Sequence, residues 1–270
     1  AHALRVQADA LLLSPVWIGN DNTLPLAGQV SGALDLGGTP ERPTGGGRLE
    51  VADLQWTDAY LERVTATLAL AEGGATLDLD APVVAVHAQA VVALAAPYTA
   101  TITADMIDAD VATLVTRAGS MAPTLLQEVS GRLRAHVTAT GTPAAPQDAT
   151  ADIRVEMLEL GLRGATLQLD EPATGQYRAG DVVVQSLHMR TGGTRLTVSG
   201  GILDGRSDGL RATIDGSLRD LQPWMVAFGA PDALDAAGTI AVTAEATGSI
   251  DRPVLTANAR VAAGRVGLDY

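Results

Sequence analysis

The sequence predicts a mostly-β chain, an elongated, repetitive and solenoid-like open β-sheet groove with short interspersed helices. Apolar residues alternate with polar ones in many short runs, the period of a strand with one apolar and one wet face. Gly, Pro, Asp or Thr bounds these runs at roughly ten-residue spacing, which gives about 20 strands joined by tight turns. A strand, short helix, strand unit ending in a Gly-to-Pro turn also recurs, as in quasi-one-dimensional repeat proteins with no single core.

The elements follow in order. Val64, Ala66, Leu68 and Leu70 define one strand, Glu72-Gly73-Gly74 a turn, and Leu77 and Leu79 the returning strand, with Val84 and Val86 continuing the apolar set. Val111, Leu114, Val115 and Ala118 have helical spacing, and Asp108 and Asp110 stand before them as candidate N-caps. Alternation resumes at Leu133, Ala135, Val137 and Ala139, then at Ile153 and Val155. It changes phase near Met157-Leu158-Glu159-Leu160, which predicts a bulge. Leu167 and Leu169, Val182 and Val184, and Leu196 and Val198 follow, with turns at Thr191-Gly192-Gly193 and Asp204-Gly205. Asp220 before Leu221 to Phe228 predicts a second helix, with Pro223 in its first turn, Gly229 as its stop, and Trp224 and Phe228 packing it on the sheet end. Ile240, Val242, Ala244 and Ala246, then Leu255, Ala257, Ala259 and Val261, give the last strands.

The repeat is read from landmarks. Gly131, Gly141 and Pro146 recur 107 positions later as Gly238, Gly248 and Pro253. An earlier copy, Val30-Ser31-Gly32 then Gly38-Thr39-Pro40-Glu41-Arg42-Pro43, keeps the Gly-to-Pro spacing with a strand shorter by four residues. Upstream, Ala100-Thr101-Ile102 matches Ala212-Thr213-Ile214, and Val6-Gln7-Ala8-Asp9 resembles Ile102-Thr103-Ala104-Asp105. The expected organisation is one continuous repetitive fragment over 1–270, with units 1–97, 98–209 and an incomplete 210–270.

Composition narrows the function. The formal charge of -13, with every one of the 18 basic residues an Arg, disfavours nucleic acid and docking of this stretch on an anionic membrane. At 3 % aromatic residues, bases and sugars find few stacking platforms. With no Cys there is no disulfide or thiolate metal site, and no apolar run approaches the roughly 20 residues of a membrane span. The chain has no initiator Met at Ala1 and reads as an internal piece.

Chemistry finds little foothold. His2, His87, His136 and His188 lie in separate strand-like runs, and no Ser sits in a nucleophile elbow. Asp78 and Asp80 alternate with Leu77 and Leu79, as on a solvated sheet face, and no metal-ligand spacing appears. Gly45-Gly46-Gly47 lacks the ending of a phosphate loop and is expected to be a flexible turn. No cofactor is called for, and the chain is expected to be non-enzymatic. On periodicity alone the apolar stripe fits the dry core of a sandwich or closed β-helix ahead of an open groove, but a period of 107 is too long for the coil of a closed β-helix and a sandwich would not duplicate its strand-helix-strand unit along the chain, which, with the family resemblance, reverses that order.

The run Leu24-Pro25-Leu26-Ala27-Gly28-Gln29-Val30-Ser31-Gly32, then Gly38 to Pro43 and Gly46-Gly47-Arg48-Leu49-Glu50-Val51, resembles the repeat of the TamB/AsmA-like family, as does the copy from Val129 to Glu156. That resemblance implies a taco-shaped β-groove in the periplasm of a diderm bacterium, in a protein anchored in the inner membrane. It implies phospholipid as cargo carried to the outer membrane. An outer-membrane barrel partner of the TamA type would meet regions outside this stretch. Outer-membrane protein and autotransporter assembly by β-augmentation is the alternative, and a structural β-solenoid a third. The residues expected to line the groove are Leu68, Leu70, Leu77, Leu79, Val84, Val86, Leu133, Val137, Ile153, Val155, Leu167, Leu169, Val182, Val184, Leu196, Val198, Ile240, Val242 and Leu255.

Overall fold

A computed structural model describes residues 4–13, 16–17, 23–24, 26–39, 42–56, 59–71, 73–118, 129–142, 145–162, 164–203, 206–227, 230–231, 234–249 and 252–268. Pro40, Glu41, Glu72, Pro143, Asp204, Gly205, Ile250 and Asp251, which the sequence assigns to turns, lie outside them, as do His2, Pro25, Phe228 and Gly229. The chain divides into two compact units, 1–127 with 136–146, and 128–135 with 147–270.

The first unit holds β1 (Leu4–Leu13), β2 (Val16–Trp17), β3 (Thr23–Leu24), β4 (Leu26–Thr39), β5 (Arg42–Trp56), β6 (Ala59–Tyr60), β7 (Arg63–Ala71), β8 (Gly74–Ala81), a 3-10 turn (Pro82–Val84), β9 (Val86–Ala93), β10 (Ala100–Asp110) and helix α1 (Val111–Ala118). β1, β4, β5, β7, β8, β9 and β10 pair in that order, each antiparallel to the next. Short connections impose this meander, because strands separated by as few residues as Ala71 and Gly74, which pair with each other, can join only as antiparallel neighbours. β11 (Ser130–Thr142) contributes 136–142 to this unit and its first six residues to the other.

The second unit contains β12 (Ala145–Leu162) from residue 147 onward, β13 (Ala165–Leu169), β14 (Ala173–Arg178), β15 (Asp181–Thr191), β16 (Thr194–Leu203), β17 (Arg206–Ser217), α2 (Leu218–Ala227), β18 (Leu234–Ser249) and β19 (Arg252–Leu268). β12 pairs with β13 near its C-terminal end and with β14 further back, and both lean on β15. From β15 the meander runs through β16, β17 and β18 to β19.

Each helix closes one end of its sheet. Asp110 caps α1 by accepting the Thr113 N–H at 3.2 Å, as its place before the apolar run predicts. Asp108 instead sits two residues earlier in the left-handed region, at φ 53°. Under α1, the buried side chains Val64, Ala81 and Val84 pack with Leu54, Leu61, Leu79, Val86 and Leu114.

α2 begins three residues before its predicted start. Ser217 caps it by accepting the Arg219 N–H at 3.2 Å, so Pro223 falls inside the helix rather than in its first turn. Asp220 is free to reach the turn between β15 and β16, where it accepts the Gly193 N–H at 2.8 Å. Trp224 donates its indole N–H to Thr191 Oγ1 at 3.0 Å, the sheet-end packing expected of it.

Two further readings are corrected. Gly45, Gly46 and Gly47 lie within β5 and not in a turn, and a Cβ at Gly47 would stand 2.0 Å from the Ala33 carbonyl oxygen. The first repeat copy is not short either. Gly28, and not Gly32, occupies the register shift of β4 opposite Asp53, as Gly238 occupies the shift of β18 opposite Ala263. With Gly28 as landmark, all copies keep one spacing: Gly28, Gly38 and Pro43 recur 103 positions on as Gly131, Gly141 and Pro146, and 210 positions on as Gly238, Gly248 and Pro253. The paired turns agree, Gly38 with Pro43 and Gly248 with Pro253.

Candidate functional site: an apolar sheet face in each unit

In a pleated sheet, residues paired across strands share a face, so the registers can be read as rows. In the first unit one row runs Leu4, Leu36, Gly45, Leu70, Ala75, Val92, Ala100, and the next runs Val6, Leu34, Gly47, Leu68, Leu77, Ala90, Ile102. A third runs Ala8, Gly32, Leu49, Ala66, Leu79, Ala88, Ala104. Beside it lie Val30, Val51 and Val64 on β4, β5 and β7, and Ala81, Val86 and Met106 on β8, β9 and β10. No charged or hydrogen-bonding side chain enters these rows. At about 4.8 Å between strands and about 6.8 Å per second residue, the face measures roughly 29 by 20 Å.

The opposite face is polar. Arg5 pairs with Asp35 at 3.2 Å and Arg63 with Glu50 at 2.9 Å, and Gln89 donates to Asp78 at 2.7 Å. One of its rows runs Glu50, Thr65, Asp80, His87, Asp105, and His136 Nδ1 lies 2.7 Å from Asp105 Oδ1. Because His136 joins this wet row, its neighbour Val137 belongs on the apolar side.

In the second unit the rows run Leu187, Val198, Ala212, Ala244, Ala257 and Leu169, Met189, Leu196, Ile214, Val242, Ala259. Gly216, Ile240 and Val261 form a shorter row, as do Leu210, Ala246 and Leu255. Val182 stands between Tyr177 and Ile202, and Val184 between Gly175 and Gly200. Ile153 faces Gly175, Val155 faces Ala173, and Leu160 faces Leu167. Val155 and Leu160 have opposite parity yet share the apolar face, so β12 changes phase where the alternation predicts a bulge. Leu133, in the part of β11 belonging to this unit, is half-buried.

Burial separates one predicted lining residue from the rest. Val84 lies in the 3-10 turn and not on a strand, and at 7 % exposure it is sealed beneath α1. Leu68, Leu70, Leu77 and Leu79 remain half-buried, as do Leu196, Val198, Ile240 and Val242. Leu255 on β19 is 74 % exposed. Pattern reading left out Leu34, Leu36, Leu49, Ile102, Leu160, Leu187, Met189 and Ile214. Most of these alternate in plain sight, but Leu187 and Met189 are put out of phase with Val182 and Val184 by a bulge between Val184 and Leu187.

At the α2 end the apolar rows give way to a polar knot. Thr194, 1 % exposed, accepts the Ser217 N–H at 2.8 Å and places its hydroxyl 3.1 Å from Asp220 Oδ2. These bonds satisfy hydroxyl and carboxylate within the fold. In the first unit, Tyr60 donates to Asp53 at 2.7 Å, and that carboxylate raises the Tyr60 pKa above its ordinary value by stabilising the neutral phenol. On the wet face of the second unit His188 contacts Glu171, and Arg190 pairs with Asp170 at 3.0 Å. Among the described residues, no three His, Asp or Glu converge as metal ligands do, and no helix is long and apolar enough to cross a membrane.

Compared with protein-family models, curated proteins and solved structures, the chain finds no match in any of the three.

Proposed function

We propose that this chain is a non-enzymatic stretch of a lipid-transfer conduit, which carries phospholipid acyl chains along its apolar sheet face through the periplasm, between inner and outer membranes, as the TamB/AsmA-like resemblance implies. One observation carries the reading: in each unit the apolar side chains form uninterrupted rows, yet with the exceptions of Val64, Ala81 and Met189 their larger members are half-buried or, as at Leu4, Ile102 and Leu255, exposed, where a second layer packed on them would bury them fully. Such a face gains about 0.8 kcal/mol for each methylene it takes from water. Rows of Leu, Val and Ala offer similar affinity along their length, which favours sliding over capture. The wet face keeps the sheet soluble, and the resemblance places the membrane anchor and a TamA-type barrel contact in other regions of the protein.

Mass spectrometry of lipids extracted from protein purified without detergent tests this. Phospholipid should accompany the unaltered protein and be lost from Leu68→Asp and Leu196→Arg variants that unfold at the same urea concentration. Lipid-free protein, or lipid retained in both variants, would overturn the proposal.

A further inference from the structure

β9 and β10 form a hairpin inside the first unit, with β8 on one side and the 136–142 part of β11 on the other, where His136 meets Asp105. From Ala88 to Ala104 this hairpin has no charged residue, so neither face of its outer half carries a charge of its own. Val91 on the wet face, Ile102 on the apolar face and Tyr98 at the tip are 48 %, 43 % and 52 % exposed. Backbone bonds fix the tip: the Tyr98 N–H donates to the Ala95 carbonyl, the Ala93 N–H to Thr99 and the Leu94 N–H to Gly73, each at 2.8 Å. They place Leu94 and Tyr98 one row beyond Val92 and Ala100, so the apolar face runs out over the loop. Tyr98 sits at φ 58°, a strained setting for an aromatic residue that the hairpin imposes. The strand next to it leads to the same end, and from Val137 to Gln147 the sequence is again uncharged. Corresponding connections differ. The first and third Gly-to-Pro turns have Glu41-Arg42 and Asp251-Arg252 where the middle copy has Ala144-Ala145. In the second unit, the connection ahead of the matching Ala212-Thr213-Ile214 carries Asp204, Arg206 and Asp208.

We propose that the β9–β10 loop, Leu94 to Thr99, dips into the headgroup layer of a zwitterionic bilayer and is where acyl chains pass between membrane and apolar face, an inference that rests on the reading of that face as a lipid carrier. A charge carried into such a layer loses part of its hydration, and this end of the hairpin has none to lose. The apolar ring and wet hydroxyl of Tyr98 suit the boundary between acyl chains and water. Size favours a bilayer over a protein partner: a six-residue tip falls short of the roughly 1,000 Å² of a specific protein interface, and it holds one aromatic residue and no Arg to anchor one. The chain's charge of -13 selects the lipid, because it is repelled by anionic headgroups and not by zwitterionic ones. Apolar contact of this size gives weak, reversible attachment, as collection and delivery of lipid require.

Because the chain has no Cys, Ala96→Cys carries a single environment-sensitive fluorophore, and Arg178→Cys places the same label beside the charged β14–β15 turn. Phosphatidylcholine vesicles should shift the emission of the Ala96 label to shorter wavelength, and a nitroxide on the lipid should quench it, while the Arg178 label stays unchanged. Adding the exposed substitution Tyr98→Asp to the labelled protein should weaken vesicle binding about tenfold, the effect of one large apolar side chain. It should leave the urea midpoint and the co-purified phospholipid as they were, since Tyr98 lies beyond the rows that carry lipid. An Ala96 label that ignores vesicles, or binding unchanged in Tyr98→Asp, overturns the proposal even where phospholipid accompanies the protein, so it fails separately from the carrier reading. A response of the Ala96 label that follows protein concentration without vesicles identifies a second copy at the loop and overturns it as well.

Discussion

Val84 and Leu68 were assigned the same duty by their sequence pattern, yet Val84 is sealed under α1 while Leu68 stands half-buried in the middle of the face. A buried charge without a partner is far costlier than one that can reach water. Val84→Asp should therefore unfold the first unit, whereas Leu68→Asp should leave its circular dichroism unchanged and remove bound lipid. Alternation could not tell the two apart, because a turn of three residues shifts phase without leaving a Gly signal. Asp110, by contrast, was legible as a cap from its position alone, and Asp110→Ala should lower stability in urea by about 1 kcal/mol. Tyr60 offers a further check on the side chains. In Asp53→Asn the phenol loses the carboxylate that holds its proton, so the tyrosine absorbance change at high pH should begin at lower pH than in the unaltered protein.

Among the elements, strands and two-residue turns were the easiest to foresee, since period-2 runs and Gly pairs such as Gly192-Gly193 specify them locally. The start of α2 was missed because Ser217 and Leu218 continue the strand pattern of β17, and only the capping bond shows the helix already begun. Gly45, Gly46 and Gly47 were misread for a different reason: three glycines imply flexibility when the neighbouring strands are out of view. In place they are positions where β4 or β7 approaches too closely for a side chain. Gly47→Ala should thus cost on the order of 2 kcal/mol or more, read as a lower unfolding midpoint. Gly267→Ala should be tolerated, because a Cβ there meets nothing within 4 Å. Bulges were the hardest elements to see. The one in β12 showed itself through a change of phase, but the one in β15 falls at Gln185 and Ser186, directly after Val182-Val183-Val184, three successive apolar residues that hide the phase before it.

At the scale of the whole molecule, the mostly-β class and the repeat were legible, and the charge of -13 sets how the chain would meet a charged surface. A strongly acidic protein is repelled by anionic surfaces within a Debye length. If it collects lipid from a bilayer, transfer from zwitterionic vesicles should outpace transfer from anionic ones at low salt, and the gap should close at 1 M salt, as read by transfer of fluorescent phospholipid. What the face does could not be read from alternation, since a packed core and an open surface share one pattern and differ only in what covers them. The constant distance from each bulge glycine to its Gly-to-Pro turn has one more consequence. In a meander, side-chain direction is a parity, and a bulge is the place where parity is reset. Loss of Asp53 alone would invert every residue of β5 beyond it, whereas gain of a whole hairpin would leave all other strands as they were. Lengths in such a chain are therefore free to change in paired strands and are held against single-residue slips, an inheritance rule written into the register itself.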